Sequence, residues 1–231
     1  MNRSAEIMRS LVAGYSVLSQ WVSQHRCILG LTLSAIAISY AVERARYALF
    51  GSRISWEITL VFAPVHEDAL KLGLVFYFLA MATLVTGALG PAHRQGATRA
   101  TRALLVISPM IAGGVLALFE PPSLNRLLGH TASVGLGFGG CLFAWRRSKT
   151  LSGFFVGLAI ATSVHSFLNT AYYWPLLPTG RYQFAAALAL LTTGVWILSR
   201  AARQEPASDI ATELFPWRLG SAYGFGPRPD T

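Results

Sequence analysis

Apolar residues are grouped along this chain into six stretches, which are separated by short segments that carry charge, proline or glycine. An α-helix rises about 1.5 Å per residue, so about 20 apolar residues are enough to cross the hydrocarbon core of a bilayer. The pattern therefore predicts an all-α fold, a polytopic membrane helix bundle of about six spans. The predicted spans are residues 27–49, 68–90, 103–120, 128–145, 151–174 and 182–199.

The two ends of the chain have a different pattern from the six spans. Between residues 1 and 26, apolar side chains recur at helical spacing among Ser, Arg and Gln, which predicts an N-terminal amphipathic helix lying on the membrane surface. Residues 204–231 are polar and rich in Pro and Gly, which is typical of a loosely ordered tail. We therefore expect a single transmembrane helical domain over residues 27–203, with no second globular domain.

Composition and charge agree with a membrane protein. Hydrophobic residues make up 53% of the chain and charged residues 13%, and the mean hydropathy is +0.47, outside the usual range of soluble proteins. The chain has 19 Lys and Arg against 10 Asp and Glu. Because the basic residues flank apolar stretches, they are typical of membrane borders, with the lipid bilayer as partner and no nucleic acid.

The distribution of basic residues also predicts the orientation in the membrane. They concentrate before span one, between spans two and three, between spans four and five, and after span six. Since connections rich in Lys and Arg remain in the cytoplasm, both termini are expected to be cytoplasmic. We interpret the chain as a multi-pass protein of the plasma (inner) membrane.

With this topology, the polar residues of four different spans fall on the outer side of the membrane. Ionisable groups at membrane depth are costly, so they usually face each other or a cavity and mark function. Glu67 and Lys71 are four residues apart, as are His165 and Asn169, so each pair shares one helix face. The residues expected to converge are Glu67, Asp68, Lys71, Glu120, Arg126, His130, His165 and Asn169.

Some of these features have plainer explanations. Pro64 suits the first turn of a helix, where Glu67 and Asp68 would stabilise the positive end of the helix dipole. Glu120 could form an ion pair with Arg126. The sequence GLGFGG, residues 135–140, lacks the strand and the Lys-Ser/Thr of a phosphate-binding loop, and it favours close helix packing instead.

Three short motifs resemble those of the PrsW-type intramembrane proteases. The segment APVHEDALK, residues 63–71, is similar to the first family motif, a Pro followed by EExxK at a helix start, with Asp68 where a second Glu is usual. RLLGH, residues 126–130, resembles the Arg-to-His segment of a later span. HSFLN, residues 165–169, matches the HxxxN pattern. Glu120 is similar in place to a further family carboxylate, although Leu116 stands where an aromatic residue is often found. The wider superfamily includes the CAAX prenyl endopeptidases and the bacteriocin-processing proteases.

The resemblance implies hydrolysis of a peptide bond in a membrane-anchored protein or peptide. Hydrolysis needs an activated water, a stabiliser of the oxyanion and a proton for the leaving amine. Glu67 is the expected general base, and His130 is expected to orient or polarise the same water. His165 and Asn169 are expected to donate hydrogen bonds to the oxyanion.

The remaining residues and the cofactor are less determined by the sequence. Lys71 is expected to balance the local negative charge and to hold Glu67, and Arg126 is expected to support the site. Asp68 and Glu120 are expected either to support the site or to act as a second acid. A divalent metal such as zinc is a possible cofactor, with Glu67, His130 and His165 as candidate ligands, although no zinc-binding motif is present. Two other functions remain open. One is a non-catalytic membrane binding or assembly subunit, and the other is a lipid amide hydrolase.

Overall fold

The structure, a computed structural model, describes residues 3–88, 94–118, 123–148, 152–170 and 179–204. Every regular element in these ranges is helical, and no strand occurs in them, which confirms the all-α prediction. The elements are α1 (Arg3–Phe50), a π-helical turn (Ile58–Phe62), α2 (Ala63–Ala88), α3 (Arg94–Ala117), α4 (Leu124–Ser148), α5 (Ser152–Thr170) and α6 (Thr179–Gln204).

Three of the described helices are long and apolar enough to cross a membrane. Their apolar segments are Leu124–Ala144 in α4, Ser152–Thr170 in α5 and Tyr182–Arg203 in α6. α3 contains a shorter apolar stretch, Ala103–Ala117. These segments make the protein a multi-pass membrane protein, while the full count of six spans stays a prediction.

α1 differs from the helix and span that the sequence predicts for this region. We expected a surface helix to end near residue 26 and a separate span to begin at 27, but one helix of 48 residues runs without a break from Arg3 to Phe50. The physical reason is that residues 15–50 contain no proline and a single glycine, Gly30, so nothing ends the helix. It ends at Gly51, which has a φ of +62° and donates its N–H to the Tyr47 carbonyl oxygen at 3.0 Å.

The N-terminal part of α1 exposes its apolar side chains, among them Ile7, Leu11 and Tyr15. Its position on a membrane surface stays a prediction. The predicted polar tail begins at Gln204, the last residue of α6, and residues 205–231 lie outside the described part of the chain.

α4 is the central helix of the bundle. Of its apolar segment 67% is buried, against 39% for α5 and 22% for α6. It packs on α3, α5 and α6, while α2 packs on α1, α3 and α5. Phe76 of α2 joins the two groups, since its ring contacts Phe138 of α4 edge-on at 5.9 Å and lies 6.0 Å from Phe154 of α5.

Small residues allow α4 and α5 to approach closely. A Cβ atom at Gly137 would lie 2.6 Å from the Ala161 Cβ and 2.8 Å from the Gly157 carbonyl oxygen. Gly157 faces back onto α4, where an added Cβ would overlap the Cys141 sulfur. These contacts confirm that GLGFGG is a helix-packing segment.

We expect Gly157→Ala to lower the free energy of unfolding by about 1–3 kcal/mol, as overpacking of a close helix contact does. The added methyl would overlap Cys141 and lie 2.5 Å from the Gly137 carbonyl oxygen, which is backbone and not free to rotate away. Gly30→Ala is the matched control, because nothing lies within 4 Å of the added atom. This second substitution should stabilise the helix by up to about 1 kcal/mol. Unfolding in detergent, followed by circular dichroism, measures the free energy of unfolding of both variants. Equal values for the two variants would show that Gly157 does not make this close contact.

Candidate functional site

Five ionisable side chains from three helices meet at one end of the bundle. α2 contributes Glu67, Asp68 and Lys71, α4 contributes His130, and α5 contributes His165. The residues of α2 and α4 lie near the N-terminal ends of those helices, whereas His165 lies near the C-terminal end of α5. α5 therefore runs antiparallel to the other two. The structure brings together these five residues, which the sequence places on one side of the membrane.

Lys71 lies at the centre of this cluster, and its side chain is completely buried. Its Nζ is 2.8 Å from Asp68 Oδ1 and 2.6 Å from His130 Nδ1, but 3.6 Å from Glu67 Oε2. Lys71 therefore forms an ion pair with Glu67, the partner expected from the sequence, but lies closer to Asp68. A buried ammonium needs a buried counter-charge, and Asp68 is the fully buried carboxylate, whereas 21% of the Glu67 side chain is exposed.

Asp68 connects the three helices. Its Oδ1 accepts hydrogen bonds from Lys71 and from the Ser133 hydroxyl at 3.1 Å, and its Oδ2 is 3.2 Å from His165 Nδ1. Ser133 was not among the residues expected from the sequence. Its signal is its position three residues after His130, whose carbonyl oxygen is also 3.0 Å from the Ser133 hydroxyl. Asp68 thus lies behind the site and does not line the cavity.

Glu67 and the two histidines surround a small space. The Oε2 atom of Glu67 is 3.7 Å from His130 Nδ1 and 3.7 Å from His165 Nε2, and the two imidazole rings meet edge to face at 4.9 Å. These separations are too long for direct hydrogen bonds. Within the described residues, Glu67 Oε2 is buried and has no hydrogen-bond partner. A buried carboxylate oxygen of this kind requires a donor, and a bridging water would satisfy it.

The same three side chains could hold a metal ion. One ligand atom from each of Glu67, His130 and His165 lies within 4.8 Å of the others. One carboxylate and two imidazoles are a donor set of catalytic zinc sites, which keep a fourth position open for water or substrate. The donor types and their spacing fit a divalent cation, whereas the Lys71 ammonium, 2.6 Å from His130 Nδ1, opposes it by its charge.

A cavity of about 350 Å³ opens beside the cluster. This volume is within the range of small-molecule and peptide side-chain pockets. Five of the expected site residues line the cavity, namely Glu67, Arg126, His130, His165 and Asn169. Asn125 of α4 and Gln183 of α6 also line it, and sequence reasoning missed both, because amides on separate helices carry no spacing signal. Glu120 lies outside the described residues.

The π-helical turn before α2 positions Glu67. Helical structure begins at Trp56, and Ala63 donates its N–H five residues back to the Ile58 carbonyl oxygen, as in a π-helix. Pro64 is the second residue of α2, as the plainer reading has it, but helical residues already precede it, so α2 has no free N-terminal end there. Glu67 lies more than two turns inside a continuous helical segment, where stabilisation by the N-terminal dipole has faded.

Two side chains of α5 bond to carbonyl groups of this turn. Pro64 has no N–H, so it leaves the Thr59 and Leu60 carbonyls without the donor that another residue would supply. Asn169 Nδ2 donates to the Thr59 oxygen at 3.1 Å, and the Ser166 hydroxyl donates to the Leu60 oxygen at 2.6 Å. One amide hydrogen of Asn169 is thereby used to hold the turn. Its predicted role as an oxyanion donor would depend on the other hydrogen.

We expect Ser166→Ala to destabilise the protein by about 1–2 kcal/mol, because the Leu60 carbonyl loses its donor in a partly buried position. Ser163→Ala is the matched control on the same helix. Its hydroxyl is exposed and only returns to the Ala159 carbonyl oxygen, so its removal should change stability by less than about 0.5 kcal/mol. Thermal unfolding in detergent compares the two. Equal stability of both variants would show that the Ser166 bond does not hold the turn.

No protein-family model matches this chain, and no curated protein and no solved structure matches it either.

Proposed function

We propose that this protein is an intramembrane endopeptidase that hydrolyses a peptide bond of a membrane-anchored protein or peptide. The observation that carries the proposal is the buried Oε2 of Glu67, which has no hydrogen-bond partner among the described residues and lies 3.7 Å from one nitrogen of each histidine at the wall of the cavity. A water bound there would touch a carboxylate and two imidazoles at once. The resemblance of the three motifs to PrsW-type proteases supports the same reaction.

The reaction would use the side chains of the cluster directly. Glu67 accepts a proton from the bound water while the water oxygen attacks the carbonyl carbon of the substrate. An imidazole N–H stabilises the resulting oxyanion, because a donor in a site shielded from water interacts strongly with developing charge. The C–N bond then breaks, and the proton held by Glu67 passes to the leaving amine. The substrate must unwind locally to enter, since a helical peptide bond is covered by its own turn.

The location follows the predicted topology. With both termini in the cytoplasm, the cavity lies toward the outer face of the plasma (inner) membrane. The substrate would therefore be cut near that face.

Reconstitution into liposomes with a library of single-span membrane peptides tests the proposal. Mass spectrometry should detect new peptide termini with the natural chain and none with His130→Ala or His165→Ala. His66→Ala is the control, because His66 lies next to Glu67 in sequence but does not line the cavity. No cleavage by the natural chain, together with lower stability of both histidine variants, would instead indicate a binding or assembly subunit.

A metal-dependent lipid amide hydrolase is the second candidate, and the spacing of Glu67, His130 and His165 within 4.8 Å favours it. These three residues would hold the cation, which when bound would activate a water molecule as a nucleophile. Asp68 would orient His165 through Nδ1, an arrangement common to metal-binding histidines.

We expect the purified protein to contain less than one equivalent of zinc and to keep its peptidase activity in a chelator. The reason is that the Lys71 ammonium occupies the Nδ1 side of His130 at 2.6 Å and repels a cation. Elemental analysis after purification without chelator measures the content. One tightly bound equivalent, with release of fatty acid from lipid amides, would favour the second candidate.

A further inference from the structure

We infer that Lys71 and Asp68 hold the two histidines of the site in opposite neutral tautomers. His130 carries its proton on Nε2, and His165 carries its proton on Nδ1. A neutral imidazole has one nitrogen that donates and one that accepts, and the partner of one nitrogen determines the state of the other. The assignment follows from the hydrogen bonds on the buried side of each ring.

The partner of His130 is an ammonium. Lys71 Nζ lies 2.6 Å from His130 Nδ1, and it is paired with Asp68 at 2.8 Å, with both side chains fully buried. An ammonium has three N–H donors and no acceptor, so it can only donate to His130. Nδ1 must then offer its lone pair. The ring proton of His130 is therefore on Nε2.

The partner of His165 is a carboxylate. Asp68 Oδ2 lies 3.2 Å from His165 Nδ1, and an ionised carboxylate only accepts. Lys71 Nζ is also near the same nitrogen, but at the longer distance of 3.5 Å. Oδ1 of Asp68 already accepts hydrogen bonds from Lys71 and Ser133. In the described part of the chain, the donor to Oδ2 is His165. His165 Nδ1 therefore carries the proton, and its Nε2 keeps a lone pair.

The two rings consequently present different chemistry. His165 Nε2, with its lone pair, lies 3.7 Å from Glu67 Oε2, so two proton acceptors face the same small space. His130 also lines the cavity, but its Nδ1, 3.7 Å from the same Glu67 oxygen, is occupied by Lys71, so its N–H donor is on Nε2. If the proposed hydrolysis is correct, His165 and Glu67 together bind and deprotonate the water, and His130 stabilises the oxyanion. This division is the reverse of the one expected from the motifs, in which His130 acts on the water and His165 on the oxyanion.

Lys71 and Asp68 are positioning residues in this arrangement. They do not line the cavity, and they act on the reaction through the histidines. The arrangement also bears on a metal ion, because a cation shared by Glu67 and both histidines needs a lone pair from His130. Its Nδ1 lone pair is taken by Lys71, and its Nε2 carries the proton.

Nitrogen NMR of the full chain in lipid bilayers tests the tautomers without any substrate. Gly129 precedes His130, and no other histidine of the chain follows a glycine, so carbonyl-labelled Gly with ¹³C,¹⁵N-labelled His selects the backbone nitrogen of His130 alone, from which its ring nitrogens are reached through its own carbons. Val precedes both His66 and His165, so carbonyl-labelled Val in a His66→Gln background selects His165. Protonated and unprotonated ring nitrogens are well separated in ¹⁵N shift.

The expected result is a protonated Nε2 on His130 and a protonated Nδ1 on His165. The same tautomer on both rings, the reverse pair or a doubly protonated ring would overturn the inference. Asp68→Asn with Lys71→Met, which removes both charges together, should shift the Nδ1 resonance of His130, because the ammonium no longer donates to that nitrogen. An unchanged His130 spectrum in that variant would show that Lys71 is not the cause. Absence of peptidase activity with the expected tautomers would remove the proposed function but not this assignment.

Discussion

Glu67→Gln is expected to reduce peptide hydrolysis by about 10²- to 10⁴-fold, the usual contribution of a general base. The amide keeps the shape of the carboxylate but has no basic oxygen to accept a proton from water. Because Glu67 Oε2 has no hydrogen-bond partner in the described residues, its loss should not weaken the fold. We expect the melting temperature to stay the same or to rise slightly, as often occurs when a functional residue is replaced.

Initial rates with a membrane-anchored peptide and thermal unfolding of the same sample measure both effects. Glu57→Gln is the matched control, because Glu57 precedes the π-helical turn and does not line the cavity. Its rate should stay within about twofold of the natural chain. If Glu67→Gln unfolds at a lower temperature and keeps its rate of peptide hydrolysis, the carboxylate has a structural role.

Lys71→Met should lower the free energy of unfolding by about 3–5 kcal/mol, which is the effect of breaking a buried ion pair from one side. Asp68 would keep its hydrogen bonds from Ser133 and His165, but its charge would remain in a position with no exposure to water. His130 would also lose the donor at 2.6 Å on its Nδ1. Both changes act in the same direction.

The double variant Asp68→Asn, Lys71→Met should recover most of this stability, because no buried charge is left unpaired. Equilibrium unfolding in detergent measures the two variants against Arg44→Met, which removes an exposed basic residue of α1 and should change stability by less than about 0.5 kcal/mol. If the double variant is as unstable as Lys71→Met alone, the loss comes from packing and not from charge.

The site places its charges at two depths. Asp68 and Lys71 neutralise each other where both are fully buried, and Glu67 lies nearer the cavity with 21% of its side chain exposed. An unpartnered buried oxygen costs about 1–3 kcal/mol. The structure holds Glu67 in this position through a π-helical turn that is fixed from α5 by Ser166 and Asn169. Single π-helical turns of this kind are frequent at functional sites.

The sequence by itself determined the helical class and the membrane environment. Runs of apolar residues as long as a bilayer is thick leave few alternatives, since backbone groups in lipid must bond within their own segment. It also indicated which residues lie close together, because charged groups are rare in such runs. Their distance along the chain from the end of each span predicts the side of the membrane on which they lie. Glu67, His130 and His165 follow from this pattern alone.

Only the tertiary structure decided which of these residues are partners. Lys71 follows Glu67 by four residues and Asp68 by three, so its side chain can reach either carboxylate. The choice depends on α4 and α5, which bury Asp68 and bring His130 to 2.6 Å from the ammonium. The missing donor at Pro64 is visible in the sequence, but its replacement by Ser166 and Asn169 arises from helices more than 100 residues apart in the chain. Hydrophobic periodicity indicates which face of a helix is buried. A hydrogen bond between two helices depends on differences of a few tenths of an ångström in the distance between donor and acceptor, and the sequence does not determine these distances.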